Sequence, residues 1–276
     1  MDRIRLIASD MDATLLDEQS QLPADFEETI HALAELGIRF APASGRPLYT
    51  LEAMFPTLQD ELVFIGDNGG AIRWNGQNLF TSEMSPEGWR ALNRLTREQG
   101  DIAVLCGLES AYVERTFAVH DAVLRHFYTK IEYVDRLEDV TAPADKFTIY
   151  LPQHNAQQAY DTVYASQRSI YSVAVAGECW VDIMNPGVHK GAALQTLGQL
   201  WGLPSESIMA FGDTYNDAEM LQTVRYGFLM ENGSVPLRQK VPFLAPSHRE
   251  AGVMQVLHRV LAQNGCVCPE DFVPAH

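Results

Sequence analysis

Cysteine is scarce in this 276-residue chain: Cys106, Cys179, Cys266 and Cys268 are the whole complement, with no CxxC pair and no metal-ligand spacing. That argues against a zinc site and leaves free thiols, as in a reducing, cytoplasmic setting. Long apolar runs are also missing; none approaches the ~18 residues of a membrane span. The amino terminus is broken by Asp2, Asp10 and Asp12, so it lacks a signal-peptide core. Positive charge is in short supply, with 20 Lys and Arg against 36 Asp and Glu and a net charge of −16. Nucleic acid and anionic membrane are therefore poor partners. The same field repels a phosphate-bearing substrate at long range, so any anion site must be positive locally. There are no internal repeats and no low-complexity stretches.

What is present is core-forming material. A hydrophobic fraction of 46 % supplies a substantial interior, and the length points to one large or two unequal domains. An apolar run at residues 6–9 reads as a buried strand. Phe26, Ile30, Leu33 and Leu36 then form a helical stripe stopped by Gly37. Residues 38–43 and 62–65 read as further strands, and Asn75-Gly76 as a hairpin turn. Strand–helix–strand alternation predicts a parallel sheet covered by helices. Between about 83 and 184 the pattern changes. Helices near 86–100, 119–127 and 156–167 alternate with short strands at 102–106, 111–115, 146–151, 170–176 and 178–184. An interruption of roughly 100 residues is too long for a loop and must fold. From 186 the parallel pattern resumes, with a helix at 189–201, a strand at 208–211, and later strands and a last helix. The expected fold is α/β: a parallel, Rossmann-like core of residues 1–82 and 185–276, with an α+β domain of residues 83–184 inserted into it.

The chemistry-bearing residues fall at strand ends. Asp10-Met11-Asp12-Ala13-Thr14 follows the first strand, Ser44-Gly45-Arg46-Pro47 the second, and Gly212-Asp213-Thr214-Tyr215-Asn216-Asp217 a later one. Two carboxylates two residues apart at the end of a buried strand are costly to desolvate without partners. They suit a cation held between them, or a nucleophile beside a proton carrier; an Asp-rich turn is the bland alternative. Carboxyl ends of parallel strands share one edge, where ligands bind. Lys190, in Gly187-Val188-His189-Lys190-Gly191, opens a helix leading towards Asp213. Asp10 and Asp213, with the backbone carbonyl of Asp12, suit Mg²⁺, which takes oxygen ligands. Ser44, the amides of Gly45 and Met11, and Lys190 suit a phosphoryl group. Phosphoryl transfer to a carboxylate divides a hard hydrolysis into two easier steps, and Asp12 could handle the protons.

These four segments, in order, resemble the four motifs of haloacid dehalogenase-like hydrolases. The place of the insert, with Val188-His189-Lys190-Gly191-Ala192-Ala193-Leu194, is similar to the Cof-type branch, which carries an α+β cap. The resemblance covers nearly the whole chain. It implies that Asp10 is the nucleophile and a Mg²⁺ ligand, that Asp12 is the general acid/base, and that Asp213 is a Mg²⁺ ligand supported by Asp217. It further implies that Ser44 and Lys190 bind phosphate, with Asn216 near it and Thr14 orienting the first loop. The activity implied is a Mg²⁺-dependent phosphatase using an aspartyl-phosphate intermediate on small phosphorylated metabolites, either sugar phosphates or phosphorylated cofactors. A phosphomutase, or a non-catalytic phosphate-binding protein, is the alternative. The chain is expected to be a monomer or weak homo-oligomer. It departs from the family at Ala13, where glycine is usual, and at Met230-Glu231-Asn232-Gly233-Ser234, where Met-x-Asn-Ala is usual. Arg46, His189 and the basic residues Arg115, His120, Arg125, His126 and Lys130 read as solvated or surface-paired. Trp74, Trp89, Trp180 and Trp201 read as core.

Overall fold

A computed structural model describes every residue from Met1 to His276. Along the chain, β1 (Asp2–Arg3) precedes β2 (Leu6–Asp10), then α1 (Phe26–Glu35), β3 (Arg39–Ala43), α2 (Leu48–Ala53), β4 (Val63–Gly66), β5 (Ala71–Trp74) and β6 (Gln77–Thr81). Next come α3 (Pro86–Gln99), β7 (Ile102–Gly107), β8 (Ala111–Glu114), α4 (Asp121–Phe127), β9 (Ile131–Val134), β10 (Ala144–Tyr150), α5 (Ala156–Thr162), β11 (Ser172–Val175) and β12 (Trp180–Met184). The chain closes with α6 (Lys190–Trp201), β13 (Ile208–Gly212), α7 (Ala218–Thr223), β14 (Tyr226–Met230), β15 (Phe243–Ala245), α8 (Gly252–Ala262), β16 (Cys266–Val267) and β17 (Val273–Pro274).

Two compact units result. The first comprises Met1–Gly45, Phe55–Leu79 and His189–His276; the second comprises Arg46–Met54 and Phe80–Val188. The large sheet has the order β17-β15-β14-β13-β2-β3-β4-β5-β6. Its centre, from β15 to β4, is parallel, whereas β17 and β5 pair antiparallel at the two sides. The parallel strands are buried on both faces, as their continuous apolar runs require. In β2 all five residues are buried. The sheet is thus mixed rather than purely parallel, because the short turn at residues 67–70 that joins β4 to β5 can only return antiparallel.

In the second unit a sheet of order β11-β12-β10-β7-β8-β9 is antiparallel except for the β8–β9 pair. Alternation along its strands separates two cores. Leu105, Phe147, Ile149, Val181 and Ile183 pack with Trp89 and Leu92 of α3 and Ala156 and Ala159 of α5. Val104, Cys106, Val113, Tyr150 and Trp180 pack with Leu124 of α4 and Tyr128. The helix α3 starts as its sequence dictates: Ser85 caps it by accepting the Gly88 N–H, Pro86 occupies the first turn, and Gly100 (φ 74) ends it.

Some local expectations are corrected. Strand β9 lies in a stretch read only as following a helix, and the helix expected over 156–167 ends at Thr162 and continues as a 3₁₀ turn. Trp89 and Trp180 are buried, but Trp74 and Trp201 are half-buried. The two rings meet edge-on at 5.5 Å, and the Arg39 guanidinium lies over both, 4.6 and 4.7 Å from their centres.

Candidate active site

The site begins with the register of the parallel strands. Asp10 pairs with Ala43 of β3, and Ser9 with Phe211 of β13. Ser44 and Asp213 therefore emerge beside Asp10 at the carboxyl edge, each just beyond the end of its strand. Past Asp10 the chain makes a tight turn in which the Leu16 N–H donates to the Met11 carbonyl at 2.9 Å. Ala13 takes φ 56 inside it. Met11 and Thr14 are buried and Asp12 is exposed. The Thr14 hydroxyl is buried and hydrogen-bonds to nothing in the protein. Such an atom normally has a bound water or ligand for a partner.

Ser44 is buried and held at both backbone ends. Its N–H donates to the Ile65 carbonyl and its own carbonyl accepts the Asn68 N–H, each at 2.9 Å. Gly45 faces the Asn68 side chain; a Cβ at Gly45 would lie 3.2 Å from it. Three consecutive left-handed residues, Asp67, Asn68 and Gly69 (φ 50, 55 and 98), build this support. Asp-Asn-Gly composition tolerates that conformation, so the turn itself was readable from sequence, but its service to Ser44 was not.

Lys190 is the first residue of α6 and is fully buried. Its neighbour His189 is not simply solvated: Nδ1 accepts the Ala192 N–H at 3.1 Å and caps the helix. The Lys190 ammonium donates to Asp10 Oδ1 and, at 2.6 Å, to Asp217 Oδ1. The other Asp217 oxygen accepts the N–H groups of Asp213 at 3.0 Å and Thr214 at 3.3 Å. Glycines allow these approaches. A Cβ on Gly191 would lie 2.7 Å from the Glu219 carbonyl carbon in α7, and one on Gly212 would lie 2.4 Å from the Asp217 Cβ. Asn216 is exposed, and its Oδ1 accepts the Thr214 hydroxyl at 2.5 Å.

Asp10, Asp213 and Asp217 each place an oxygen within 4.8 Å of the others. Against these three carboxylates stands one ammonium. Burial, then the Asp217 charge, pushes Asp10 up to about 7 against the pull of Lys190. The same two causes, in that order, push Asp213 up to about 6. Burial alone would lower the Lys190 pKa, but Asp10 and Asp217 outweigh it and hold the ammonium above its ordinary value. A site so deficient in positive charge, with oxygen donors only, has the chemistry of a hard divalent cation site. The Lys190 ammonium thus takes one oxygen of Asp10 and one of Asp217, while the other Asp217 oxygen serves two amides. Among the remaining basic residues, Arg115 and Arg125 pair with Asp135 and Asp121, and the Lys130 ammonium lies 5.8 Å from the Tyr49 ring centre.

The loop at Met230–Ser234, whose shape the sequence left open, reaches this site too. Asn232 Nδ2 donates to the Ala13 carbonyl at 2.8 Å, and the Ser234 N–H to the Asp213 carbonyl at 2.7 Å. Its departure from the usual motif was visible in sequence; its partners were not.

Comparisons with known proteins place the chain in a family. The profile of the haloacid dehalogenase-like hydrolases matches residues 7–257. The chain is 31 % identical over 262 residues to 5-amino-6-(5-phospho-D-ribitylamino)uracil phosphatase YbjI of Escherichia coli, covering 94 % of this chain and 96 % of that one. It is also 31 % identical over 249 residues to the HMP-PP phosphatase of Cronobacter sakazakii, covering 87 % and 89 %. The crystal structure of SMU.1108c from Streptococcus mutans superposes with a TM-score of 0.83 at 27 % identity, covering 94 % of this chain and 99 % of that one. Motifs, strand-end geometry and relatives together make this chain a member of the haloacid dehalogenase-like hydrolases, of the Cof type, and a phosphoric monoester hydrolase.

Proposed function

We propose that the chain hydrolyses phosphate esters of small metabolites, sugar phosphates or phosphorylated cofactors, with Mg²⁺ held by Asp10 and Asp213. The observation that carries this reading is the buried constellation of Asp10, Asp213 and Asp217 around Lys190 at the sheet's carboxyl edge. Mg²⁺, when bound, neutralises the phosphoryl oxygens and orients them for in-line attack. The Asp10 carboxylate attacks phosphorus, an oxygen–phosphorus bond forms, and the bond to the leaving oxygen breaks. Asp12 in its acid form gives that oxygen its proton, releasing the alcohol. Water then attacks the same phosphorus and yields a proton to the Asp12 carboxylate. The acyl-phosphate bond breaks, freeing inorganic phosphate and restoring Asp10. Ser44, the amides at Met11 and Gly45, and Lys190 hold the phosphoryl group, with Asn216 beside it. Asp217 keeps Lys190 and the Asp213 backbone in place. Selection of the leaving group is assigned to the inserted domain.

The relative from Escherichia coli, whose name describes a phosphate on a ribityl chain attached to a uracil, supports an alkyl phosphate on a small metabolite as substrate. The test is phosphate release from a panel of phosphorylated sugars, polyols and cofactors plus 4-nitrophenyl phosphate, with Mg²⁺ and with chelator. Metal-dependent release, absent in Asp10→Asn, is the expected result. Folded protein that releases nothing in Mg²⁺ would overturn it, and an isomerisation assay would follow.

A further inference from the structure

Neither the acidic cluster nor the helix starts account for the turn after β14. It closes on itself, the Gly233 N–H donating to the Met230 carbonyl at 2.8 Å. From this one turn, Asn232 reaches the Ala13 carbonyl at 2.8 Å while the Ser234 N–H reaches the Asp213 carbonyl at 2.7 Å. Gly233 permits the approach, since a Cβ there would lie 2.7 Å from the Asp213 carbonyl oxygen. Asn232 uses both ends of its amide: Oδ1 accepts the His248 N–H at 3.0 Å. That bond fixes the orientation of the side chain and leaves Nδ2 aimed at Ala13.

Ala13 is a residue that needs such a partner. It holds a left-handed φ of 56 despite its Cβ, and it directly follows Asp12. Residues kept in sparsely populated conformations persist only where their surroundings over-determine them. The family's usual glycine would adopt this turn freely; alanine must be held there.

We propose that Asn232 is a positioning residue for Asp12. By fixing the Ala13 carbonyl it fixes the Ala13–Thr14 peptide and so the left-handed turn that directly follows Asp12, and through that turn the direction from which Asp12 delivers its proton to the leaving oxygen. Through Ser234 the same turn ties this loop to Asp213. The inference rests on the role proposed above for Asp12 and deepens it.

That role makes a selective test possible. An alkoxide cannot leave without a proton, whereas 4-nitrophenolate can, so loss of proton delivery penalises alkyl esters more. The full protein, Asn232→Ala and Asn232→Asp are assayed in Mg²⁺ for kcat/KM on glucose 6-phosphate and on 4-nitrophenyl phosphate. Asn232→Asp keeps the acceptor for His248 and loses the donor to Ala13. General acid help is worth ~10²–10⁴-fold, and its partial loss should lower kcat/KM about tenfold for the alkyl ester but less than about threefold for the aryl ester in both variants. Because Asn232 is exposed, both variants should melt within a few degrees of the parent. If one does not fold, the other carries the comparison. Equal losses on the two esters, or no loss, overturn the inference while the phosphatase reading stands. A parent protein that turns over neither these esters nor any other of the panel overturns that reading, and this inference with it.

Discussion

Lys190 and Asp217 form an ion pair at 2.6 Å in which both side chains are withdrawn from solvent, and the same ammonium reaches Asp10. One buried cation thus serves two carboxylates from different segments, and the two anions are costly to keep in place without it.

Lys190→Ala should therefore do more than weaken phosphate binding. Leaving Asp10 and Asp217 buried without their counter-charge should cost about 3–5 kcal/mol of stability. Turnover should fall by at least ~100-fold. Chemical denaturation and steady-state kinetics measure the two effects. Unchanged kinetics would mean that another cation holds the phosphate.

Asp10→Asn should abolish turnover, by ~10³-fold or more, and leave the fold intact. The amide is nearly the same size and relieves the repulsion with Asp217. Circular dichroism and phosphate release check this, with mass spectrometry to exclude deamidation. Substantial residual activity in the verified variant would falsify the nucleophile assignment.

The raised carboxylates make a signed prediction for pH. With Asp10 at about 7 and Asp213 at about 6 in the folded chain, against an ordinary value of 3.8, the folded state binds protons more tightly than the unfolded state between about pH 4 and 7. The metal-free protein should lose stability as pH rises through that window. Mg²⁺ takes the place of those protons, so it should raise the melting temperature at pH 8 and do little at pH 5. Thermal melts at the two pH values, with and without Mg²⁺, measure this. An equal Mg²⁺ shift at both would count against a cation on these carboxylates.

Gly212→Ala should damage the site without removing any charged group. Its Cβ would meet the Asp217 Cβ at 2.4 Å, forcing Asp217 from Lys190 and from the Asp213 and Thr214 amides. A loss of about 1–3 kcal/mol in stability and at least ~10-fold in turnover is expected. Full activity at unchanged stability would mean that the site does not depend on this close packing.

Ala13→Gly should act in the opposite direction. Relief of the left-handed φ of 56 should stabilise the protein by about 0.5–1 kcal/mol, with activity retained. Denaturant unfolding would register the change; a lower midpoint would show that the Ala13 methyl contributes packing that outweighs the strain.

Much of this molecule was legible in one dimension. Strand ends at Asp10, Ser44 and Asp213 and the helix start at Lys190 are local events: apolar runs stop, glycine, proline or a capping residue intervenes, and the new period begins. Edge pairing was less legible. The short strand β9 alternates only weakly, and it exists because β8 offers it a parallel partner. Trp74 and Trp201 look like core residues in sequence, and the Arg39 guanidinium laid over both rings could not be foreseen.

The sequence by itself determined the alternation of elements, the order of the four motifs and hence the family, because each depends on residues close together in the chain. Packing in three dimensions set how the charges meet: Asp217 accepts the Lys190 ammonium on one oxygen and two amides on the other, and Asp10 shares the same ammonium. It alone decided that Asn232 meets Ala13 across 219 positions of sequence. The physical reason is common to both. A hydrogen-bonding group accepts whatever donor the packed fold brings within reach, and no local pattern records which donor that is.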